Sequence, residues 1–396
     1  MACWGRPETV AEALTPDALV ERAQRETGLD DLGAAGWEAG LDALLDSATR
    51  EADLNEVGVG ILCAWIHRRL TNRLQVIDWV NRHPDIRKEQ IRAPLVVLGM
   101  TRTGTTILSE LLAQDPANRP LMKWEGLSCC PPPEAASFRS DPRIAKAVGE
   151  VEFQYEMVPE LRAVHYEPGD GPTECVALLG QSFYSQDWLG LFRVPTFVDW
   201  YRHCDKGPAY EYHHLALQLL QSRTGGRWSL KAPGHMHALD ALTAQYPDAR
   251  LIVTHRDPQK TVPSMASLST TSRPDSLTNA RQPLHGYFGK LWLDELALMV
   301  ERMMNFRDRH GDANFYDLPY DRFVKDPVAG VRRAYEHFGE TLSETAETAM
   351  RAYLEHSPKG RYGTHRYSIE DFGLRPGEIR ERFADYTKRF DIPEEA

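Results

Sequence analysis

The chain reads as a three-layer α/β protein, with a central, mainly parallel sheet, helices on both faces and a helical N-terminal extension. Three observations predict this. Residues 93–114 run from a short apolar strand, Leu95 to Leu98, through a tight loop holding Gly99 and Gly104, into a helix with Ile107, Leu108, Leu111 and Leu112 on one face. From about Pro94 onward strand and helix patterns alternate, which implies parallel strands with helical crossovers. Before that point the periodicity is helical only. The expected division is residues 1–92 as an extension packed on the core and 93–396 as the α/β domain, with a helical insertion at about 126–227.

In the extension, Thr15-Pro16 supplies a hydroxyl cap and a first-turn proline, and Gly28 can end that helix. Leu62, Ile66, Leu70, Leu74 and Ile77 form a longer stripe, stopped near His83-Pro84. Nothing in the extension suggests chemistry of its own. In the α/β part, Trp228–Lys231 is a short strand, and Pro233 opens a helix with Met236, Leu239 and Leu242, ended by Pro247. Ala249–Thr254 is a buried strand, and Asn314–Leu318 is a further one. Trp292, Leu296, Met299, Met303 and Phe306 step by four and three along a helix. Asp326-Pro327 caps a helix carrying Val328, Val331, Tyr335 and Phe338, closed by Gly339. Between Gly126 and Gly226 the pattern weakens and aromatics accumulate, Phe183, Tyr184, Trp188, Phe192, Phe197, Trp200, Tyr201, Tyr210 and Tyr212. They read mainly as core helices, with part of the segment walling an apolar pocket.

Composition narrows the function. A chain of 396 residues can bury a large core. A net charge of −11 argues against a nucleic-acid binder, yet leaves room for a nucleotide held by a few local arginines. The six cysteines include no C-x-x-C pair, which fits reduced thiols in the cytoplasm and no metal site. No signal peptide is apparent, and no apolar run approaches the roughly 20 residues of a membrane span. A homo-oligomer stays open.

The glycine loop is a phosphate-holding device. Glycine lets the backbone approach an anion, and the amides and dipole of the helix start hold it. Gly99, four residues, then Gly104 matches the P-loop frame, but Thr105 and Thr106 stand where a P-loop NTPase carries lysine and a hydroxyl. A second anion site is expected at His255-Arg256-Asp257-Pro258, where a strand ends, with Ser264 eight residues after Arg256. An arginine at a strand end can grip a phosphate by two parallel hydrogen bonds, in the place where open parallel sheets bind ligands.

In order, these motifs resemble those of sulfotransferases that use 3′-phosphoadenosine 5′-phosphosulfate (PAPS). Arg102-Thr103-Gly104-Thr105-Thr106 is similar to that family's 5′-phosphosulfate loop, and Arg256-Asp257-Pro258 with Ser264 to its 3′-phosphate site. Leu318 to Pro327 resembles the stretch before its late helix, and the likeness runs from about Pro94 to the C-terminus. The resemblance implies a P-loop-like fold and metal-independent transfer of a sulfuryl group to a hydroxyl, less readily an amine. The acceptor would be small, apolar or aromatic. It implies that Arg102 sits by the oxygen bridging phosphorus and sulfur, and that Lys231, in Ser229-Leu230-Lys231-Ala232-Pro233, contacts the transferring group. Three residues compete as the base, Glu125 first, then His165 and Glu174. The basic, glycine-containing stretch Ser357–Tyr367 is set to fold over the nucleotide, with Arg361 or Lys359 on the 3′-phosphate and Tyr362 near adenine, or to lie open as a loop. Ser267–Gly286 reads as a long loop, either a gate or a connection. The competing readings are a P-loop kinase or NTPase and a nucleotide-binding module without catalysis.

Overall fold

The computed structural model describes residues 14–272, 277–279, 284–357 and 367–395. Five parallel strands form one sheet, β1 (Leu95–Gly99), β2 (Asn118–Pro120), β3 (Arg227–Lys231), β4 (Arg250–His255) and β5 (Phe315–Pro319), in the order β2-β3-β1-β4-β5. In register, Leu95 of β1 faces Ser229 on one side and Arg250 on the other. β2 is the strand the sequence pattern does not reveal. It is three residues long, lies at the sheet edge, and ends on Pro120, whose missing N–H is tolerated only there.

Strand alternation builds two cores. Val96, Leu98, Leu251 and Val253 point into the larger one, shared with the N-terminal helices and with helix His285–His310. Leu95, Val97 and Ile252 point into the smaller one, with Leu108, Leu111 and Leu112 of helix Thr105–Leu112 and with Val328 and Val331 of helix Pro327–His337. The crossover after β1 therefore leaves toward one face of the sheet. The helix after β4, Pro258–Ser272, buries Val262 and Ala266 in the other core. Loops that part in opposite directions leave a crevice at the strand ends, where open α/β sheets bind ligands.

Several elements differ in detail from the periodicity. Thr15 caps helix Pro16–Thr27, Gly28 ends it at φ 68°, and the stripe from Leu62 to Ile77 is buried within helix Glu56–Arg82. The helix expected from Pro233 is split into a tight turn, Pro233–His237, and a helix, Leu239–Gln245, parted at Ala238 (φ −140°). The stretch read as a loop from Ser267 stays helical to Ser272; residues 273–276 and 280–283 lie outside the described residues. Of the aromatics of the middle segment, Phe183, Trp188, Phe197, Tyr201, Tyr210 and Tyr212 are all core. Among the described residues no helix is long and apolar enough to cross a membrane.

Candidate active site

The loop leaving β1 is held open by backbone geometry. Gly99 has φ 137°, and a Cβ there would sit 2.4 Å from Thr254 Oγ1. Gly104, at φ 95°, starts helix Thr105–Leu112. Between them Arg102 takes the left-handed region at φ 68°, a costly place for a side chain with a Cβ. The Thr103 hydroxyl donates to Met100 O at 2.6 Å and lies 2.5 Å from Thr254 Oγ1. Its side chain thus locks the loop to β4, leaving only its backbone for a ligand. Thr105 and Thr106, one turn on, do border the cavity.

Arg102, Ser264 and Arg256, far apart in sequence, meet at the crevice. Arg102 Nε donates to Ser264 Oγ at 3.2 Å, and Arg256 Nη1 to the Arg102 carbonyl at 2.9 Å. Burial and the Arg256 charge both depress the Arg102 pKa, which still leaves the guanidinium charged. Arg256 lies over the Tyr320 ring, 4.1 Å from its centroid. Its Nε and Nη2 each donate to a carboxylate oxygen of Glu395, at 2.8 Å.

The neighbouring strand end carries a second cluster. The segment around residues 165–175 crosses the ends of β2 and β3, pinned by Thr173 N–H to Leu121 O (2.7 Å) and Cys175 N–H to Lys231 O (2.8 Å). Lys231, 3% exposed, donates from Nζ to Glu174 Oε1 at 2.9 Å. Burial disfavours the Lys231 ammonium, but Glu174 and Glu167 more than restore it and its pKa is raised. Burial would also raise the Glu167 carboxyl; Lys123, Lys231 and His165 outweigh that and hold it at about 2. His165, half-buried in the cavity wall, has its pKa lowered by burial and further by Lys231 and Arg102, against the pull of Glu167 and Glu174. Its ring makes no hydrogen bond to a described residue. Burial lifts Glu110 to about 7, with Glu167 and Asp170 pushing the same way and Lys231 opposing.

Both clusters open into one cavity of about 2050 Å³. Arg102, Gly104, His165, Glu174, Arg256 and Ser264 border it, and Tyr320 and Glu110 with them. Its apolar wall includes Val57, Ile61, Ala64 and Trp65 of helix Glu56–Arg82 and Val151, Phe153 and Met157 of helix Pro142–Met157. Val57, Phe153 and Met157 are 59%, 62% and 66% exposed at its border. The extension, which carried no expected role, thus shares the wall with the middle segment, where a pocket wall was expected; of that segment's aromatics named in the sequence analysis, Phe192 is the one that borders the cavity.

Glu125, the first of the three candidate bases, sits apart from the other two. It is fully buried and does not border the cavity. Its carboxylate takes Arg119 Nη2 at 2.6 Å and Nη1 at 3.3 Å, and accepts the Met122 N–H at 3.0 Å, at the start of helix Lys123–Leu127. Three hydrogen bonds thus hold the carboxylate in a clamp behind the cavity wall. Lys359, Arg361 and Tyr362 lie outside the described residues. Glu110, Glu167 and Tyr320 were not singled out by sequence. The one available signal for Glu110 was a lone charge in an otherwise uncharged helix, T-T-I-L-S-E-L-L.

Comparison with known proteins identifies the family. Residues 94–344 match the family described as "Sulfotransferase family". The crystal structure of sulfotransferase STF9 from Mycobacterium avium is 32% identical, with TM-score 0.90, over 97% of this chain and 98% of that one. Sulfotransferase STF1 from Mycobacterium tuberculosis H37Rv is 32% identical with TM-score 0.83, over 94% and 98%. The chain is also 22% identical to Omega-hydroxy-beta-dihydromenaquinone-9 sulfotransferase Stf3 of Mycobacterium bovis, over 73% of this chain and 74% of that protein. The chain belongs to the sulfotransferase family, with its P-loop-like fold.

Proposed function

We propose that this enzyme moves a sulfuryl group from PAPS to the hydroxyl of a small apolar or aromatic acceptor. What carries the reading is the meeting of Arg102, Ser264 and Arg256 in one crevice, on the same cavity as His165 and as Glu174, the ion-pair partner of Lys231. The cradle fits a nucleotide with two separated anionic ends. The Gly99–Thr106 loop offers backbone amides and a helix start to one anion. Arg256 already grips the Glu395 carboxylate two-handed, which supports a place for it on the other.

When bound, the donor supplies the sulfuryl group, with adenosine 3′,5′-bisphosphate as the product left behind. In this reading His165 is the base: with its pKa lowered and its place on the cavity border, it takes the proton of the acceptor hydroxyl as a neutral imidazole. Lys231 and Arg102 hold positive charge where negative charge grows on the leaving side. Glu174 keeps Lys231 charged and aimed, and Glu167 with Lys123 braces the segment that carries His165. The acceptor body lies along the wall of Ile61, Trp65, Val151 and Met157, which suits an apolar alcohol. The Stf3 relative, named for an omega-hydroxy menaquinone, is in keeping with that. Among the described residues no cysteine is in a disulfide, which supports a cytoplasmic setting.

The test is an acceptor screen with sulfur-labelled PAPS and a chelator present, beside a parallel screen with ATP. Label transfer from PAPS, with none from ATP, is expected. Phosphoryl transfer from ATP would replace this reading with a kinase, and nucleotide binding with no product from any acceptor would leave a binding module.

A further inference from the structure

We propose that Glu395 is a tethered stand-in for a nucleotide 3′-phosphate, so that the protein's own tail competes with the nucleotide for Arg256. The proposal rests on the donor reading above. A carboxylate and a phosphate offer a guanidinium the same pair of oxygens. Glu395 takes that edge in full, Oε1 from Nε and Oε2 from Nη2, both at 2.8 Å. The remaining nitrogen, Nη1, is turned to the Arg102 carbonyl at 2.9 Å. A phosphate approaching Arg256 by the same edge must displace the tail.

The tail is placed for this rather than draped there. Beyond helix Ala384–Arg389, the Ile392 N–H donates to Thr387 O at 3.0 Å, and the Ile392 side chain packs against the larger core. The Glu395 N–H donates to Asp257 Oδ2 at 2.8 Å, on the residue next to Arg256. Chain anchored so close confines the carboxylate near the guanidinium and gives it a high effective concentration. Yet Arg256 and Glu395 keep side-chain exposures of 21% and 26%, so the pair is screened and can be exchanged for a better anion. A nucleotide with a 3′-phosphate must open this contact, whereas one lacking that group can bind beneath it. The tail thereby weakens 3′-phosphorylated ligands alone, product included, and favours product release.

Calorimetry on the full chain tests this with adenosine 3′,5′-bisphosphate and adenosine 5′-monophosphate. In E395Q the Kd of the bisphosphate is expected to fall by about three- to tenfold, with that of the monophosphate unmoved. An unchanged or weakened bisphosphate affinity would overturn the proposal and make Glu395 a support for Arg256. In the unmutated protein, bisphosphate but not monophosphate should speed amide exchange over residues 391–395; equal protection with both ligands would also overturn it. If the unmutated protein does not distinguish the two nucleotides, and R256A changes neither, the donor reading itself fails whatever the tail does.

Discussion

The two ends of the cavity are built by opposite means. The end at the crevice is made from strand termini, the glycine turn, the first turns of helix Pro258–Ser272 and the segment around residues 165–175 that crosses the strand ends. The far end is made from helices distant in sequence, and its groups are ordinary apolar side chains on Glu56–Arg82 and Pro142–Met157. The first holds charge in fixed positions; the second offers area. Rate should therefore be concentrated at the crevice, and acceptor preference spread along the wall.

The sharpest way to break this division is at His165. H165N is expected to lower turnover by about 10²- to 10⁴-fold while leaving nucleotide Kd nearly intact. Its acid limb supplies a second check. Protonation removes the base, so kcat/KM falls as pH drops through the His165 pKa. Because that pKa is lowered, the fall should lie on the acid side of the usual imidazole value of about 6.5. Unchanged turnover would pass the role to Glu174. Next, R102A should lose about 10²-fold in turnover beyond any loss in affinity. A pure affinity effect would reduce Arg102 to a binding contact.

Stability separates the clamp from the chemistry. E125Q strips the buried Arg119 guanidinium of its charge partner and should cost about 3–5 kcal/mol in denaturant unfolding, with little effect on turnover of the folded enzyme. Rate loss without stability loss would restore Glu125 as the base. Acidification should also destabilise the fold. Burial holds His235 down at about 3, so between about pH 6.5 and 3 the unfolded chain binds a proton that the folded one refuses. Stability then falls with pH by up to about 1.4 kcal/mol per unit from this residue, readable as a falling Tm. The smallest effect belongs to the wall. F153D should raise KM for apolar acceptors by roughly fivefold, about the loss of one partly buried apolar contact, and leave small water-soluble alcohols unaffected.

The same division explains what was legible beforehand. Four of the five strands and the cradle of Gly104, Arg102, Arg256 and Ser264 could be read because their signals are local: glycine spacing, an apolar run, a strand-end arginine. Edge strand β2 could not, since three residues carry no period. The placement of Glu125 away from the cavity was hidden for a related reason. A glutamate at the third position of a short helix is as well suited to capping Met122 as to catalysis, and only the tertiary arrival of Arg119 decides between them. The role of the N-terminal helix was equally hidden. Its inner stripe, Leu62 to Ile77, announces packing, whereas Val57, Ile61 and Trp65 gain meaning only once helix Pro142–Met157 stands nearby to close the cavity.

Finally, the hydroxyl pair of Thr103 and Thr254, with no room for a methyl group at Gly99, fuses the turn after β1 to β4. Arg102 and Arg256 then ride on a single rigid block. On the donor reading proposed above, the gap between them works as a fixed ruler, and an adenine nucleotide whose two charged groups are spaced differently, a 2′,5′ isomer for instance, is expected to bind more weakly.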